Sequence, residues 1–477
     1  MPSLFVGETY TDNVSLAPDD QKRSDWITQV APGISVGATG SRLQFNATYA
    51  AEILVYARDE ESNQVNHLLE ARGTGELLEE LFFLEGGASI EQRNISLFAP
   101  LTGSNINTTG NRSTVESVFA SPYFKHEFGT DFGAEARYTY SVVNTDQPAT
   151  MPDSVANRVD LRMQSGPAYR LLRWDLDYYR DNIDYDTQND IMSEAITGRA
   201  RRLVTPTVGL LAELGYEEYD TDIPGTEFNG SNWKAGIEWT PSPRTRVAGS
   251  AGERFYGNTY DFDFSTRTRR TTFRVGYRES ITTARNQLLI PATASTAAYL
   301  DTLFLAQYPD AVARQVAVEE FIARTGLPAN LNSPINFFTT QLFLLKRWEV
   351  SAGILGARNV VLANVFKDSR EGLIEDSALP GSGDFARSNS VDQTGVSFEW
   401  NLQLTAQDSW NLRGSYTRNA FPFTGQVDYL TLVQAGLSHQ FQPRLSGSLT
   451  LSRQLYDSNQ RADFTEHVIF AGLSARF

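Results

Sequence analysis

The feature that most constrains this chain is a hydrophobic period of two running through nearly all of its 477 residues. In 207–217, Val208, Leu210, Ala212, Leu214 and Tyr216 alternate with Thr207, Gly209, Leu211, Glu213, Gly215 and Glu217. In 172–179, Leu172, Trp174, Leu176 and Tyr178 alternate with Arg173, Asp175, Asp177 and Tyr179. The same holds for Trp233, Ala235, Ile237 and Trp239 against Lys234, Gly236 and Glu238, and for Leu43, Phe45, Ala47 and Tyr49 against Arg42, Gln44, Asn46 and Thr48. Successive side chains of a strand point to opposite faces, so each set takes a face of its own. The chain is therefore all-β, with one apolar and one polar face per strand.

A secreted sandwich and a membrane barrel both show this pattern. The sandwich buries its apolar face, whereas the barrel turns it to lipid and keeps the polar face for a watery lumen. Three features select the barrel. The repeating segments run to about 10–14 residues, the length of a tilted spanning strand, while soluble strands average nearer 5–6. Aromatic residues gather toward segment ends, as with Tyr138, Tyr140, Trp233, Trp239 and Tyr416, which suits an interfacial girdle. The chain closes on Phe477, with Leu473 and Ala475 on the same face and Gly472 five positions before the end. That ending resembles the assembly signal of bacterial outer-membrane proteins.

Composition fits once the alternation is known. The mean hydropathy of −0.34 looks soluble, and no run approaches the roughly 18–20 apolar residues of a spanning helix. Alternating strands average out to the same value. The absence of cysteine excludes a disulfide scaffold, thiol catalysis and Cys-based metal centres. A net charge of −16 argues against a nucleic-acid partner, because no basic field is there to displace counterions.

Short turns alternate with longer polar links. The short set includes 38–41, 128–131, 240–243, 268–270, 356–358 and 442–444; the long set includes 13–24, 95–112, 144–155, 219–228, 369–390 and 456–463. Short periplasmic turns and long outer loops are the barrel habit, and the count between them is about 22 strands, with both termini periplasmic. The stretches 64–96 and 255–282 parse in more than one way. From 284 to 337 the alternation stops, and 311–324 reads as a helix that starts at Pro309-Asp310 and stops at Gly326 and Pro328. This insert is an outer loop or a loop folded into the lumen, and it serves either as a gate or as a lid over the rim. The first strand begins almost at Met1, so a mature numbering is expected. No plug precedes it, which sets aside a TonB-dependent receptor.

Catalytic patterns are sparse, and the chain does not read as an enzyme. His67, His126, His439 and His467 lie on separate strands without metal-site spacing. Ser438 and His439 are adjacent and so point to opposite faces. Asp175/Asp177 and Asp261/Asp263, with Arg173 beside the first pair and Arg274 and Arg278 near the second, share the expected lumen face. They read as a solvated charge ladder before they read as an acid–base pair or a divalent-cation site. The candidate selectivity residues are Arg173, Asp175, Asp177, Glu213, Glu238, Asp261, Asp263, Arg274 and Arg278, while Tyr179 is either a sugar-stacking or a packing aromatic. Gly472 and Phe477 are the candidate assembly signal. The acidic run 217–222 reads as a solvated loop, or secondarily as a divalent bridge to lipopolysaccharide. No metal or cofactor is expected.

Glu8-Thr9-Tyr10-Thr11-Asp12-Asn13-Val14-Ser15-Leu16, Phe255-Tyr256-Gly257-Asn258-Thr259-Tyr260, the turn arginines Arg267, Arg269 and Arg270, and Gly356-Ala357-Arg358-Asn359 resemble stretches of the outer-membrane barrel family associated with PEP-CTERM/exosortase systems. The resemblance spans nearly the whole chain and implies an outer-membrane barrel linked to exopolysaccharide export; it assigns no catalytic residue. The expected function is a channel, with a non-conducting scaffold that anchors surface material or a partner protein as the alternative. Expected partners are outer-membrane lipid and lipopolysaccharide, the barrel-assembly machinery, and polysaccharide or periplasmic export partners.

Overall fold

The computed structural model describes every residue except 148–150, 188, 222–227, 289–299, 302–303, 305–313, 315–317, 319–338, 340, 374–383 and 385–387. The first eleven strands are β1 (Pro2–Thr11), β2 (Asp25–Thr39), β3 (Leu43–Tyr56), β4 (Gln64–Leu78), β5 (Phe82–Asn94), β6 (Arg112–Phe128), β7 (Phe132–Thr145), β8 (Ser154–Ser165), β9 (Leu172–Tyr185), β10 (Ile191–Leu203) and β11 (Val208–Asp220). The remaining eleven are β12 (Phe228–Ser242), β13 (Thr245–Arg254), β14 (Gly257–Arg267), β15 (Thr271–Thr282), β16 (Phe343–Leu355), β17 (Asn359–Gly372), β18 (Ser390–Gln403), β19 (Asp408–Phe421), β20 (Gln426–Gln442), β21 (Leu445–Ser458) and β22 (Phe464–Arg476). All 22 form one sheet in which each strand pairs antiparallel with its sequence neighbour. β1 pairs with β22, Gly7 opposite Gly472 and Leu4 opposite Ala475, so the sheet closes on itself and leaves no free edge.

The alternation decides which face is which. Leu214, Trp233, Ile237, Trp239 and Leu473 stand exposed on the outside, as do Tyr138, Tyr140 and Tyr416. Of the expected girdle, Tyr138 and Trp233 sit near mid-strand, while Trp239 lies three residues from its strand end. A contiguous apolar surface around a whole closed barrel is stable only in lipid. Polar residues of the same strands turn inward.

Inside the closing hairpins, glycine makes room for aromatic rings. Phe5 and Phe470 stack at 5.8 Å between centroids over the opposed Gly7 and Gly472. A Cβ on Gly472 would approach the Phe470 ring to 2.6 Å, so the missing side chain sets the register of the seam. At the opposite end of the barrel, the β13–β14 link is only Phe255-Tyr256, and Gly257 takes a φ of +117° that favours glycine. That tight turn is the true parse of 255–282. The other ambiguous stretch, 64–96, resolves into β4 and β5 around a turn at 79–81.

Described helix amounts to α1 (Ala284–Leu288), a 3-10 turn at Glu60–Ser62, and single positions within 300–318 and at Asp384. Of the expected helix 311–324, Arg314 and Val318 are helical and the rest lies outside the described residues.

Candidate functional site

The inner wall divides into a wet arc and a buried arc. Toward the short-turn end of β8–β15 many inward side chains are charged, and cross-strand register brings opposite signs together. Toward the long-loop end Ala156, Ile183, Tyr185, Ile191 and Tyr219 form a buried inward cluster. Arg199 on β10 sits opposite Asp175 on β9, with guanidinium–carboxylate distances of 2.6 Å to Asp175 and 2.7 Å to Asp177. Arg162 reaches Asp177 from the other side at 3.4 Å, and Arg199 reaches Glu213 at 3.3 Å. Lys234 then links Glu213, at 3.8 Å, to Asp261. A second chain runs from Arg201 to Glu238 (2.8 Å), to Arg246 (2.9 Å), to Asp263 (2.8 Å) and to Arg274 (3.0 Å). Arg162, Arg199, Arg246 and Arg274 remain open to water, with Arg162 55% and Arg274 62% exposed, whereas Arg201 and Lys234 are more enclosed, at 27% and 11%. Pairs as exposed as Arg162–Asp177 and Arg274–Asp263 contribute about 0–1 kcal/mol each, so that part of the ladder places charge rather than holding the fold.

All nine candidate selectivity residues lie on this inward register. Asp175, Asp177, Glu213, Glu238, Asp261, Asp263 and Arg274 are joined in the two chains. Arg173 and Arg278 are exposed, and neither has an ion-pair partner among the described residues. Sequence reasoning missed the cations that complete the ladder, namely Arg162, Arg199, Arg201, Lys234 and Arg246. Each occupies the polar phase of its strand, but its partner is set by register across hairpins. Tyr179 faces inward with the Arg158 guanidinium 4.6 Å above its ring, so one ring face is already covered. The run 217–222 departs from its reading as a loop. Glu217 belongs to β11, its side chain is 2% exposed, and Arg254 grips it bidentately; Asp222 lies outside the described residues.

The arc that follows the wet one around the barrel is dry. Inward residues of β17 and β18, including Leu362, Asn364, Phe366, Gln393, Ser397 and Glu399, are buried along nearly the whole strand.

Two segments fold from the long-loop end into the lumen. The β5–β6 loop, 95–111, crosses from its own hairpin to the far wall. Leu97, Phe98 and Leu101 pack with Phe343, Val391 and Phe421 of β16, β18 and β19, with Phe98 and Phe421 at 4.1 Å between centroids. Burying side chains of this size stabilises by about 1.5–3 kcal/mol each. Hydrogen bonds then fasten the loop. The Asn107 amide and the Thr11 hydroxyl both donate to Glu466 Oε1 at 2.7 Å. Gln454 donates to the Leu101 carbonyl at 2.7 Å, Tyr56 to the Ile106 carbonyl at 2.9 Å, and Asn105 to Glu52 at 2.6 Å. The sequence pattern marked 95–112 only as a long link, because its anchors are spread over β1, β3, β16 and β18–β22.

The second segment starts at α1. Arg285 donates from Nη2 to the Ser141 carbonyl (3.0 Å) and hydroxyl (3.1 Å), and from Nε to the Ser154 hydroxyl (2.9 Å). Ser141 and Ser154 lie on β7 and β8, so the beginning of the insert reaches away from β15 to a distant wall. Burial pulls the Arg285 guanidinium below its ordinary pKa, with Tyr185 and Asp181 acting in the opposite sense.

The geometry assembles no nucleophile–base pair at the positions considered. Ser438 bonds to Ser409 at 2.6 Å on the inside, while His439 meets Asp408 at 2.6 Å on the outside. All four histidines take the outward register; His67 pairs with Tyr49 at 2.7 Å and His467 with Asp12 at 2.9 Å. Among the described residues no group of three or more metal-ligating side chains forms a cluster.

This fold and wall define a closed 22-strand transmembrane β-barrel with an ionised, partly occluded interior. No protein-family model matches the chain, and no curated protein matches it in sequence. Solved structures do match. The siderophore receptor PirA from Acinetobacter baumannii aligns with a TM-score of 0.50 at 10% identity, over 100% of this chain and 80% of that one. The open form of the ferric-catecholate import receptor Fiu from E. coli K12 aligns with a TM-score of 0.52 at 9% identity, over 99% of this chain and 81% of the receptor. Identity this low shows a shared barrel fold and nothing finer.

Proposed function

We propose that the chain is a bacterial outer-membrane channel for polar solutes, with both termini and the short turns in the periplasm and the long loops outside. The observation that carries this is the wet arc: the inward Arg162, Arg199, Arg246 and Arg274 are about half exposed although they lie inside a closed barrel. A barrel filled with protein would desolvate them. The nine candidate residues, with Arg199, Arg246 and Lys234, then set the charge seen by a passing solute. The loop 95–111 and the segment beginning at α1 narrow the outer mouth, so the channel is gated rather than freely open. The sequence resemblance supports a role in exopolysaccharide export. Gly472 and Phe477 act as the recognition end for barrel assembly, and the Phe477 amide hydrogen-bonds the Pro2 carbonyl at 2.9 Å, beside the closing seam.

The test is planar-bilayer conductance of the intact chain and of a 284–337 deletion. The channel reading expects a small or intermittent current from the first and a larger steady one from the second. Silence from both would discard it. The alternative reading, a non-conducting scaffold, is favoured by the burial of the inner wall of β17 and β18.

A further inference from the structure

The wall charges are mutually compensated, but the two rims are not. At the short-turn end, the β8–β9, β12–β13, β14–β15 and β16–β17 turns carry Arg170, Arg244, Arg269 with Arg270, and Arg358, and the β20–β21 turn adds Arg444. All six are exposed, and among the described residues none has an ion-pair partner. Three more exposed or half-exposed arginines without such partners, Arg173, Arg267 and Arg476, stand at the same end on the inward register, on the inner lip of the mouth. The carboxylates of this rim are mostly on the other arc: Glu79, which pairs with Arg42 at 2.7 Å, and Glu80, Glu127 and Asp131. Asp408 lies within the basic arc but is held by His439 and Thr405. The long-loop rim is acidic, with Asp59, Glu60, Glu61, Asp184, Asp186 and Asp190.

Neighbouring hairpins are two strand spacings apart, so the arginines of the three consecutive turns β12–β13, β14–β15 and β16–β17 stand about 10 Å apart, with Arg170 and Arg444 each about 20 Å further along the arc. A small anion would meet one of them. Only an extended ligand with repeated negative charge engages several at once. The inward placement of Arg173, Arg267 and Arg476 points that ligand into the mouth and away from the lipid face.

We propose that the short-turn mouth captures a linear polyanion, such as a carboxylate- or sulfate-bearing polysaccharide, and feeds it to the lumen. This rests on the channel reading and names its substrate class. Past the compensated wall, the acidic outer rim repels the emerging chain and opposes its return. The roughly 10 Å spacing is close to the Debye length of about 8 Å at physiological ionic strength, so capture strengthens steeply as salt falls.

The test uses the full chain in phosphatidylcholine nanodiscs, with dextran sulfate and neutral dextran of matched length as probes. The variant is Arg170→Gln, Arg244→Gln, Arg269→Gln, Arg270→Gln and Arg358→Gln combined; a Lys22→Gln, Arg23→Gln control alters the other rim. Folding of each is checked by heat-modified gel mobility. The native chain is expected to bind dextran sulfate and not dextran, and the five-site variant to bind at least about tenfold more weakly, with the control unchanged. Equal binding by the variant, or none by the native chain, overturns the proposal. So does a rim that instead gathers phosphatidylglycerol in mixed nanodiscs and ignores dextran sulfate. Binding is read at equilibrium: a barrel that binds at this rim but conducts nothing removes the channel and keeps the capture site. One that conducts but does not bind does the reverse.

Discussion

Replacing Glu466 tests whether the folded-in loop gates the lumen. Its Oε1 accepts two hydrogen bonds at 2.7 Å, one from Asn107 of the loop and one from Thr11 of β1. Hydrogen bonds to a charged group contribute about 1.5–3 kcal/mol each. Glu466→Ala removes both, and the bond to Asn107 is the one lost from the closed loop alone. Leaving the Asn107 amide unpaired in a buried setting adds to that loss, so closure weakens by about 3 kcal/mol. At 1.4 kcal/mol per factor of ten, the open loop becomes roughly a hundredfold more populated. The remaining anchors at Leu101, Asn105 and Ile106 keep the closed form populated, so the change appears as more frequent opening. Single-channel recording reads the opening rate, and amide exchange over 95–111 reads the same equilibrium without current. Glu466→Gln retains an acceptor oxygen and is expected to lie near the native chain. If Glu466→Ala leaves both opening frequency and exchange unchanged, the loop is not held by this latch.

Arg285→Ala removes three hydrogen bonds to Ser141 and Ser154 and is expected to raise exchange in 284–288 and the open-channel current; unaltered values would mean the insert is held elsewhere. Gly472→Val drives a side chain into the Phe5–Phe470 stack and should cost about 1–3 kcal/mol, read as a lower urea midpoint or incomplete heat-modifiable folding. A fully native midpoint would refute the role given to that glycine. Arg274→Ala with Arg278→Ala removes two inward cations and should shift the reversal potential toward cation selectivity, whereas an unmoved potential would take both residues out of the solute path. Lys234→Met breaks the link between Glu213 and Asp261 and should shift selectivity in the same sense. Because Lys234 is only 11% exposed, stability should also fall by more than the about 1 kcal/mol of an exposed pair, read as a lower urea midpoint.

The strand phase was legible because it depends only on neighbours two apart. Asp175, Asp177, Asp261 and Asp263 could be placed on the lumen face from their own segments. The partners Arg199 and Lys234 could not be, since pairing depends on which residue lies opposite across a hairpin. Glu217 looked like loop because the charges around it hid the inward phase that Arg254 satisfies. The infolding of 95–111 was illegible for a deeper reason. Leu101 finds Phe343 and Gln454 across a lumen whose curvature no local pattern records. The surplus of negative charge, which composition alone could not place, is neutralised along β8–β15 and so belongs chiefly to the long-loop rim.

The central claim is that the short-turn half of β8–β15 lines water while β17 and β18 do not. The chain has no cysteine, so single substitutions report cleanly. Thr197→Cys and Ser265→Cys probe the wet arc, while Asn364→Cys and Ser397→Cys, whose parent residues are 7% and 6% exposed, probe the dry one. Each is treated in bilayers with a charged, membrane-impermeant thiosulfonate while current is recorded. The first pair should be modified within seconds to minutes with a step in current, and the second should resist. Resistance of all four would contradict a water-filled lumen, and equal modification of all four would contradict its division into two arcs.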